Sequence, residues 1–193
     1  MTKNKGKLLE KLKEKKIMKT SEITKILGNR AGIGRMVEAG ELILLGAGFY
    51  AHPSMDPFDA AILVAGIYYP YGVLSNVTVL SLHSLTDERI DIIDVDIPRN
   101  KSIRNRLIKA HRVPDAHLIG IEKIAFQGYE ISAYSKERSL SEAFKIDPNG
   151  PLFFKALKRY VAGAEIDTQE IKRFDDILKT DVLTSLSQEL ADA

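Results

Sequence analysis

The 193-residue chain contains no cysteine. That absence excludes disulfide scaffolds, thiolate zinc sites and cysteine nucleophiles together, and it fits a cytoplasmic protein, which is the expected location. The first residues, MTKNKGKLLEKLKEKK, offer no apolar stretch for a signal peptide and too many glutamates for a transit peptide. Internal repeats and low-complexity tracts are missing. Charge is missing altogether from Ala60 to Thr86, a stretch of 27 residues. Pro70, Gly72, Ser75, Asn76 and Thr78 interrupt it, so neither half reaches the roughly 18 to 20 apolar residues of a membrane span. Two buried helices, 58–69 and 75–84, are expected around a Pro-Tyr-Gly turn, the second capped by Ser75, with no membrane partner.

Hydrophobic residues make up 45% of the chain and charged residues 28%, the proportions of an ordinary globular protein. The net charge is only +2, but residues 1–50 hold 11 Lys and Arg against 5 Glu, a balance of +6. The remaining residues hold 17 Lys and Arg against 21 Asp and Glu, a balance of −4. A basic head on an acidic body predicts two units, the first of which meets a polyanion. The joint falls at His52-Pro53-Ser54-Met55-Asp56-Pro57, where two prolines block regular structure, giving domains 1–52 and 58–193.

Within the head, Leu8, Leu9, Leu12 and Ile17 form a helical stripe over 3–16. Thr20 or Ser21 can cap a second helix with Ile23, Ile26 and Leu27 inward, and Gly28 is placed to stop it in a left-handed conformation. Asn29 can cap a third helix with Ile33, Met36 and Val37 inward; Gly32 and Gly34 fall either inside it or in a long turn before it. Apolar runs flanking Gly46-Ala47-Gly48 read as a hairpin. Three short helices followed by a hairpin is the layout of a winged helix-turn-helix, with the third helix as groove reader. On that reading Lys19 and Lys25 neutralise phosphates and Arg30 and Arg35 read bases through their planar forks. Thr20, Ser21 and Asn29 grip phosphate at helix starts.

The body reads as α+β, a small sheet covered by helices. A strand is expected at 90–97, a hairpin at 118–126 and 129–134, and helices after Ser135, from Pro151, after Asp167 and from about Thr180. The last-but-one should bury Ile171, Phe174, Ile177 and Leu178. The basic segment 99–112 is expected as a loop or short surface helix, with Lys101, Arg104, Arg106, Lys109 and Arg112 either a second phosphate-contacting patch or, the plainer reading, a wet loop. Enzyme signatures are poor. Asp94 and Asp96 share one strand face, the spacing of two-metal nucleotidyltransferases, but the accompanying Gly-Ser loop and third carboxylate are missing, so a solvated face is the plainer reading. His52, His83, His111 and His117 show no metal-ligand spacing, and Ser139 and Ser141 have no partner base nearby in sequence. No enzymatic activity, cofactor or metal is expected.

Several stretches together resemble one family. TSEITKILGNRAGIGRMVEAGELILLGAGFYAHP is similar to the N-terminal winged helix of the AbiEi antitoxins, YYPYGVLSNVTVLSLHSLTD to their signature helix, and IDVDIPRN and ISAYSKERSLSEAFK to the strand and helix that follow. The turn Gly46-Ala47-Gly48 departs from the family by carrying no arginine. The resemblance implies a type IV abortive-infection antitoxin that represses its own operon at inverted-repeat operator DNA. It further implies that the C-terminal domain counters a nucleotidyltransferase toxin without needing direct contact. The alternative is a ligand-sensing winged-helix regulator with no toxin partner.

Overall fold

The computed structural model describes residues 2–88, 90–163 and 165–192. Among them the chain is mixed α+β, with nine α-helices and two sheets. It begins α1 (Thr2–Lys15), β1 (Ile17–Lys19), α2 (Thr20–Leu27), α3 (Ala31–Glu38), β2 (Ile43–Gly46) and β3 (Phe49–Ala51). The three strands make an antiparallel sheet in the order β1-β3-β2. Leu8, Leu12, Met18, Ile23, Ile33, Met36 and Leu42 form a small core under the three helices. Gly28 does end α2 in the left-handed region, at φ 81°.

The charge-free stretch is explained by what surrounds it. Asp56 caps α4 (Pro57–Tyr68) by accepting from Phe58 N–H at 2.8 Å and Asp59 N–H at 3.3 Å, and Pro57 occupies a first-turn position where its missing N–H forfeits no hydrogen bond. Ala60 to Ala65 are all buried. A helix that is apolar on every side must be covered on every side. Here α4 lies between the N-terminal sheet and a second, five-stranded sheet. Gly66 permits that approach, because a Cβ there would stand 2.7 Å from the Ile131 side chain. No described helix is long and apolar enough to cross a membrane.

The second sheet comprises β4 (Val73–Leu74), β5 (Ile93–Pro98), β6 (Ile108–Val113), β7 (Ile121–Phe126) and β8 (Tyr129–Tyr134), ordered β6-β5-β4-β8-β7. The β5–β6 and β4–β8 pairs are parallel and the other two antiparallel. Helix α5 (Asn76–Leu82) follows β4. The C-terminal helices α6 (Lys136–Ile146), α7 (Pro151–Ala162), α8 (Thr168–Leu178) and α9 (Val182–Asp192) build a separate apolar cluster around Phe153, Leu157, Ile171 and Leu186.

Four expectations need correction. The 99–112 segment is not only loop: residues from Ile108 form an edge strand beside β5, disguised in sequence by exposed Lys109 and Arg112, the charges that sheet edges favour. Helix α2 starts at Thr20 and is capped by neither Thr20 nor Ser21; Glu22 Oε2 reaches back to Lys19 N–H at 2.8 Å. Ser75 precedes α5 but its hydroxyl caps nothing, and Glu142 Oε2 takes the Asn76 N–H at 2.9 Å instead. Ile177 is exposed, because the stripe Ile171, Phe174, Leu178 already fills the inner face of α8.

Residues 53–56 turn between β3 and α4, yet the apolar core is continuous across them. Ile17, Leu45, Phe49 and Ala51 of the N-terminal sheet belong to the same buried cluster as α4 and β4, β5 and β8.

Candidate nucleic-acid interface

The junction between α2 and α3 is built residue by residue. Leu27 closes α2, Gly28 turns the chain, and Asn29 Oδ1 accepts the Gly32 N–H at 2.8 Å. Asn29 thus ties down the first turn of α3 from one position before the cap residue, which is Arg30 and makes no side-chain cap bond, and both Gly32 and Gly34 lie inside the helix. Ile33 and Met36 are buried with Val37 half-buried beside them, while Ala31, Gly34, Arg35 and Glu38 form the exposed outer face. Arg35 stands on that face and Arg30 just before it, both exposed.

The seven residues singled out by sequence divide into two groups. Ser21, Lys25, Arg30 and Arg35 are exposed, and none of these four side chains has a hydrogen bond or ion pair among the described residues. The other three already have intramolecular partners. Thr20 donates its N–H (2.8 Å) and its hydroxyl (3.1 Å) to the Gly48 carbonyl, fastening the 46–48 turn to the start of α2. Lys19 lies over the Tyr68 ring, 4.4 Å from its centroid, and 5.6 Å from that of Phe49. Asn29 is occupied by the Gly32 N–H. On α1, Lys5 pairs with Glu41 and Lys15 with Glu22, while Lys3, Lys7, Lys11 and Lys13 are exposed.

An open groove of about 400 Å³ runs between α1 and α3, with Leu27 and Met36 in its lining and Asn29 and Arg35 at its rim. The 46–48 turn has no side chain larger than a methyl, and Gly46, Ala47 and Gly48 all adopt positive φ. Its flank is covered by the body. Arg106 Nη2 donates to the Leu44 carbonyl at 3.1 Å, and Arg106 Cγ and Asn105 Oδ1 lie 3.2 and 3.3 Å from where a Cβ on Gly46 would stand. Sequence reasoning missed this contact. The basic run was visible, but its neighbour is 62 positions away.

The body holds a second concentration of polar groups. Asp94 and Asp96 do share a strand face, but it is not a solvated one. Asp94 Oδ1 is 2.6 Å from His111 Nε2, and Asp96, 2% exposed, accepts from Tyr134 Oη at 2.9 Å. Arg138 Nη1 is 3.1 Å from Glu142 Oε1, and its guanidinium covers the Tyr134 ring. Burial pushes the Tyr134 phenol and the Glu142 carboxyl up; Asp96 adds to both rises and Arg138 opposes them. Burial likewise pushes the His117 imidazole down, with Lys145, Arg138 and Arg99 adding to it. His83 Nε2 is 2.8 Å from the Tyr134 carbonyl. The hydroxyls of Ser75 and Ser141 are buried with no hydrogen-bond partner among the described residues. No described group of three or more His, Asp or Glu side chains is arranged to hold a metal ion. The cluster ties the sheet to α5 and α6.

No protein-family model matches the chain, and no curated protein matches it.

Proposed function

We propose that the chain is a winged-helix DNA-binding repressor, with residues 1–52 as the DNA-binding domain and 58–193 as the effector domain. One observation carries the reading. The order α1-β1-α2-α3-β2-β3, with β3 between β1 and β2, leaves a free outer face on α3 that carries Arg35, with Arg30 at its start. A helix in that position enters the major groove with its exposed side chains towards base edges. Ser21 and Lys25 on α2 suit phosphate contacts beside it. Small Ala31 and Gly34 let its backbone approach the bases.

The resemblance to AbiEi antitoxins supplies the biological setting. On that reading this cytoplasmic protein represses its own operon, and its body counters a nucleotidyltransferase toxin encoded beside it. No cofactor or catalytic residue is assigned. One observation favours the ligand-sensing alternative: the groove between α1 and α3 reaches Arg35, so a small molecule there would abut the proposed base reader.

The test is binding of the full chain to a labelled duplex from upstream of its own coding sequence, titrated with salt. Affinity should fall steeply as salt rises, because each neutralised phosphate releases counterion. Arg30→Ala and Arg35→Ala should each weaken binding by roughly 5- to 150-fold, the removal of one bidentate base contact of about 1–3 kcal/mol. Absence of salt-dependent binding by the unmodified protein would sink the proposal. Co-expression of the full chain with the adjacent gene, comparing the unmodified protein with Arg30→Ala/Arg35→Ala, tests the antitoxin role: rescue by a variant that no longer binds DNA separates it from repression.

A further inference from the structure

We propose that the β5–β6 loop of the body, residues 99–107, belongs to the DNA-contacting surface and supplies the phosphate contacts that the bare 46–48 turn lacks. The inference rests on the DNA-binding reading above and extends it to a part of the chain whose overall charge is acidic.

Charge is the first argument. Residues 51–193 hold 17 Lys and Arg, and six of them stand in 99–112 (Arg99, Lys101, Arg104, Arg106, Lys109, Arg112) without one Asp or Glu among them. The rest of the body is strongly acidic, so this cluster is the exception within it. All six are exposed, and none has a carboxylate partner among the described residues. A basic cluster serving only solubility would be expected to intersperse with the acids around it.

Position is the second. The Asn105–Arg106 end of the loop lies directly against the turn that would act as the wing. Arg106 bonds to the Leu44 carbonyl on the outer strand of the N-terminal sheet, and with Asn105 it fills the space beside Gly46. The same turn is fastened to the start of α2 through Thr20. Helix start, turn and this end of the loop therefore form one contiguous edge. In winged-helix proteins the wing flanks the groove reader, where its side chains can meet the phosphate backbone. Here the turn has no side chain to offer, and the arginines beside it come from the body.

Rigidity is the third. Tyr71 Oη donates to the Ser102 carbonyl at 2.9 Å, Lys101 N–H to the Pro98 carbonyl at 2.9 Å, and Arg112 Nε to the Lys101 carbonyl at 3.2 Å. Ile103 and Leu107 pack against the main core. The tyrosine that holds the loop is the end of an aromatic row, Phe49–Tyr69–Tyr71, that begins in the N-terminal sheet. The loop is thus held relative to α2 and the turn before any DNA arrives, and charges fixed in advance lose little conformational freedom on binding. Arg106 is the positioning residue and Arg104, two residues before it, is the phosphate contact nearest the turn; Arg99 and Lys101, at the opposite end of the β5–β6 pair, extend the same basic surface away from it.

The experiment uses full-length protein, its own upstream duplex and an unrelated duplex of equal length, with log affinity measured against log salt. The triple variant Arg99→Ala/Lys101→Ala/Arg104→Ala should reduce the steepness of the salt dependence by about 0.9 for each phosphate that is no longer neutralised. It should weaken binding to both duplexes alike, whereas Arg35→Ala should mainly affect the upstream duplex. The charge-conserving pair Arg99→Lys/Arg104→Lys should keep the unmodified slope. All three positions are exposed, and an unchanged thermal melt establishes that the triple variant is folded. If the triple variant keeps the full slope and affinity while Arg35→Ala abolishes binding, the loop assignment falls and the DNA-binding reading stands. If the unmodified protein binds neither duplex, both fall.

Discussion

Tyr68, the last residue of α4, donates its hydroxyl hydrogen to Glu22 Oε2 at 3.1 Å, reaching from the body into the start of α2. The same oxygen takes the Lys19 N–H at 2.8 Å, and Oε1 takes Lys15 Nζ at 3.1 Å. Burial pushes the Glu22 carboxyl up, but the bonds from Lys19, Lys15 and Tyr68 outweigh it and hold the group below its ordinary range. Around this contact Lys19 covers the Tyr68 ring and Phe49 meets the same ring at 4.7 Å between centroids. Tyr129 Oη, from β8, adds a bond to the Lys15 carbonyl at 3.0 Å. The boundary that looks like a linker in sequence is a packed seam.

Equilibrium unfolding should therefore show one transition for the whole chain. Phe49→Ala should cost about 3–5 kcal/mol, and Tyr68→Phe, which removes only the hydroxyl, about 1 kcal/mol. Urea denaturation followed by far-UV circular dichroism and by tyrosine fluorescence checks both. Two separate transitions in the unmodified protein, with Phe49→Ala moving only one, would show that the units fold independently.

A pH effect follows from His111 and Asp94. The hydrogen bond to Asp94 raises the His111 pKa above its ordinary 6.5, against the opposing effect of burial, with Asp94 and Asp96 adding attraction. A histidine whose folded pKa is raised binds its proton more tightly when folded. Its contribution is complete below about 6.5 and is lost as pH rises through the folded value. The unmodified protein should thus be more stable than His111→Asn at pH 5.5–6, and the difference should shrink on going to pH 8–9. Denaturation midpoints of the two proteins across that range measure it, and a constant difference would show that the pair is not linked to protonation.

The seam and this pair also explain why parts of the molecule were legible in sequence and others were not. Gly28, Asn29 and the 46–48 turn act within three or four residues of themselves, and their roles followed from local chemistry. The strand Ile17–Lys19 has only three residues, and its partner begins at Phe49, so no periodicity could reveal it; Val73–Leu74 is shorter still. The strand Ile108–Val113 sits at a sheet edge, where Lys109 and Arg112 break the apolar alternation. Asp96 looked like one of two solvated carboxylates because nothing adjacent in sequence announces Tyr134, 38 positions away. For the candidate site, residue type and helix face were legible. The engagement of Lys19 by Tyr68 and the approach of Arg106 to Leu44 arise only from tertiary packing.

Glu142 is the residue whose loss should be felt most in the body. It accepts the Asn76 N–H and faces Arg138, whose side chain is 3% exposed. Glu142→Gln leaves that guanidinium buried beside a neutral amide, and breaking a buried pair from one side costs about 3–5 kcal/mol. Replacing both residues, Glu142→Gln with Arg138→Met, removes the stranded charge. The double variant should accordingly be less destabilised than the sum of the two single changes, a coupling that denaturation midpoints of the four proteins in the cycle report. Strict additivity would mean that Glu142 and Arg138 do not stabilise one another in the folded protein.

The two glycines of α3 separate stability from function. A Cβ on Gly34 would meet nothing within 4 Å, whereas one on Gly32 would stand 3.3 Å from Asn29 Oδ1 and 3.4 Å from Leu27 Cδ1. Alanine in an open helix interior is favoured over glycine by about 1 kcal/mol, so Gly34→Ala should stabilise the protein by up to that amount. Gly32→Ala should gain less, because the new methyl presses on the side chain that ties down the first turn. Gly34 lies on the same outer face as Arg35, where the proposed reader approaches the bases. There the added methyl should keep the helix from closing on the groove and weaken binding to the upstream duplex, while the melting temperature rises. A Gly34→Ala protein that is more stable and binds DNA as tightly as before would show that the glycine is not the point of closest approach. The contact would then have to be made by long side chains alone.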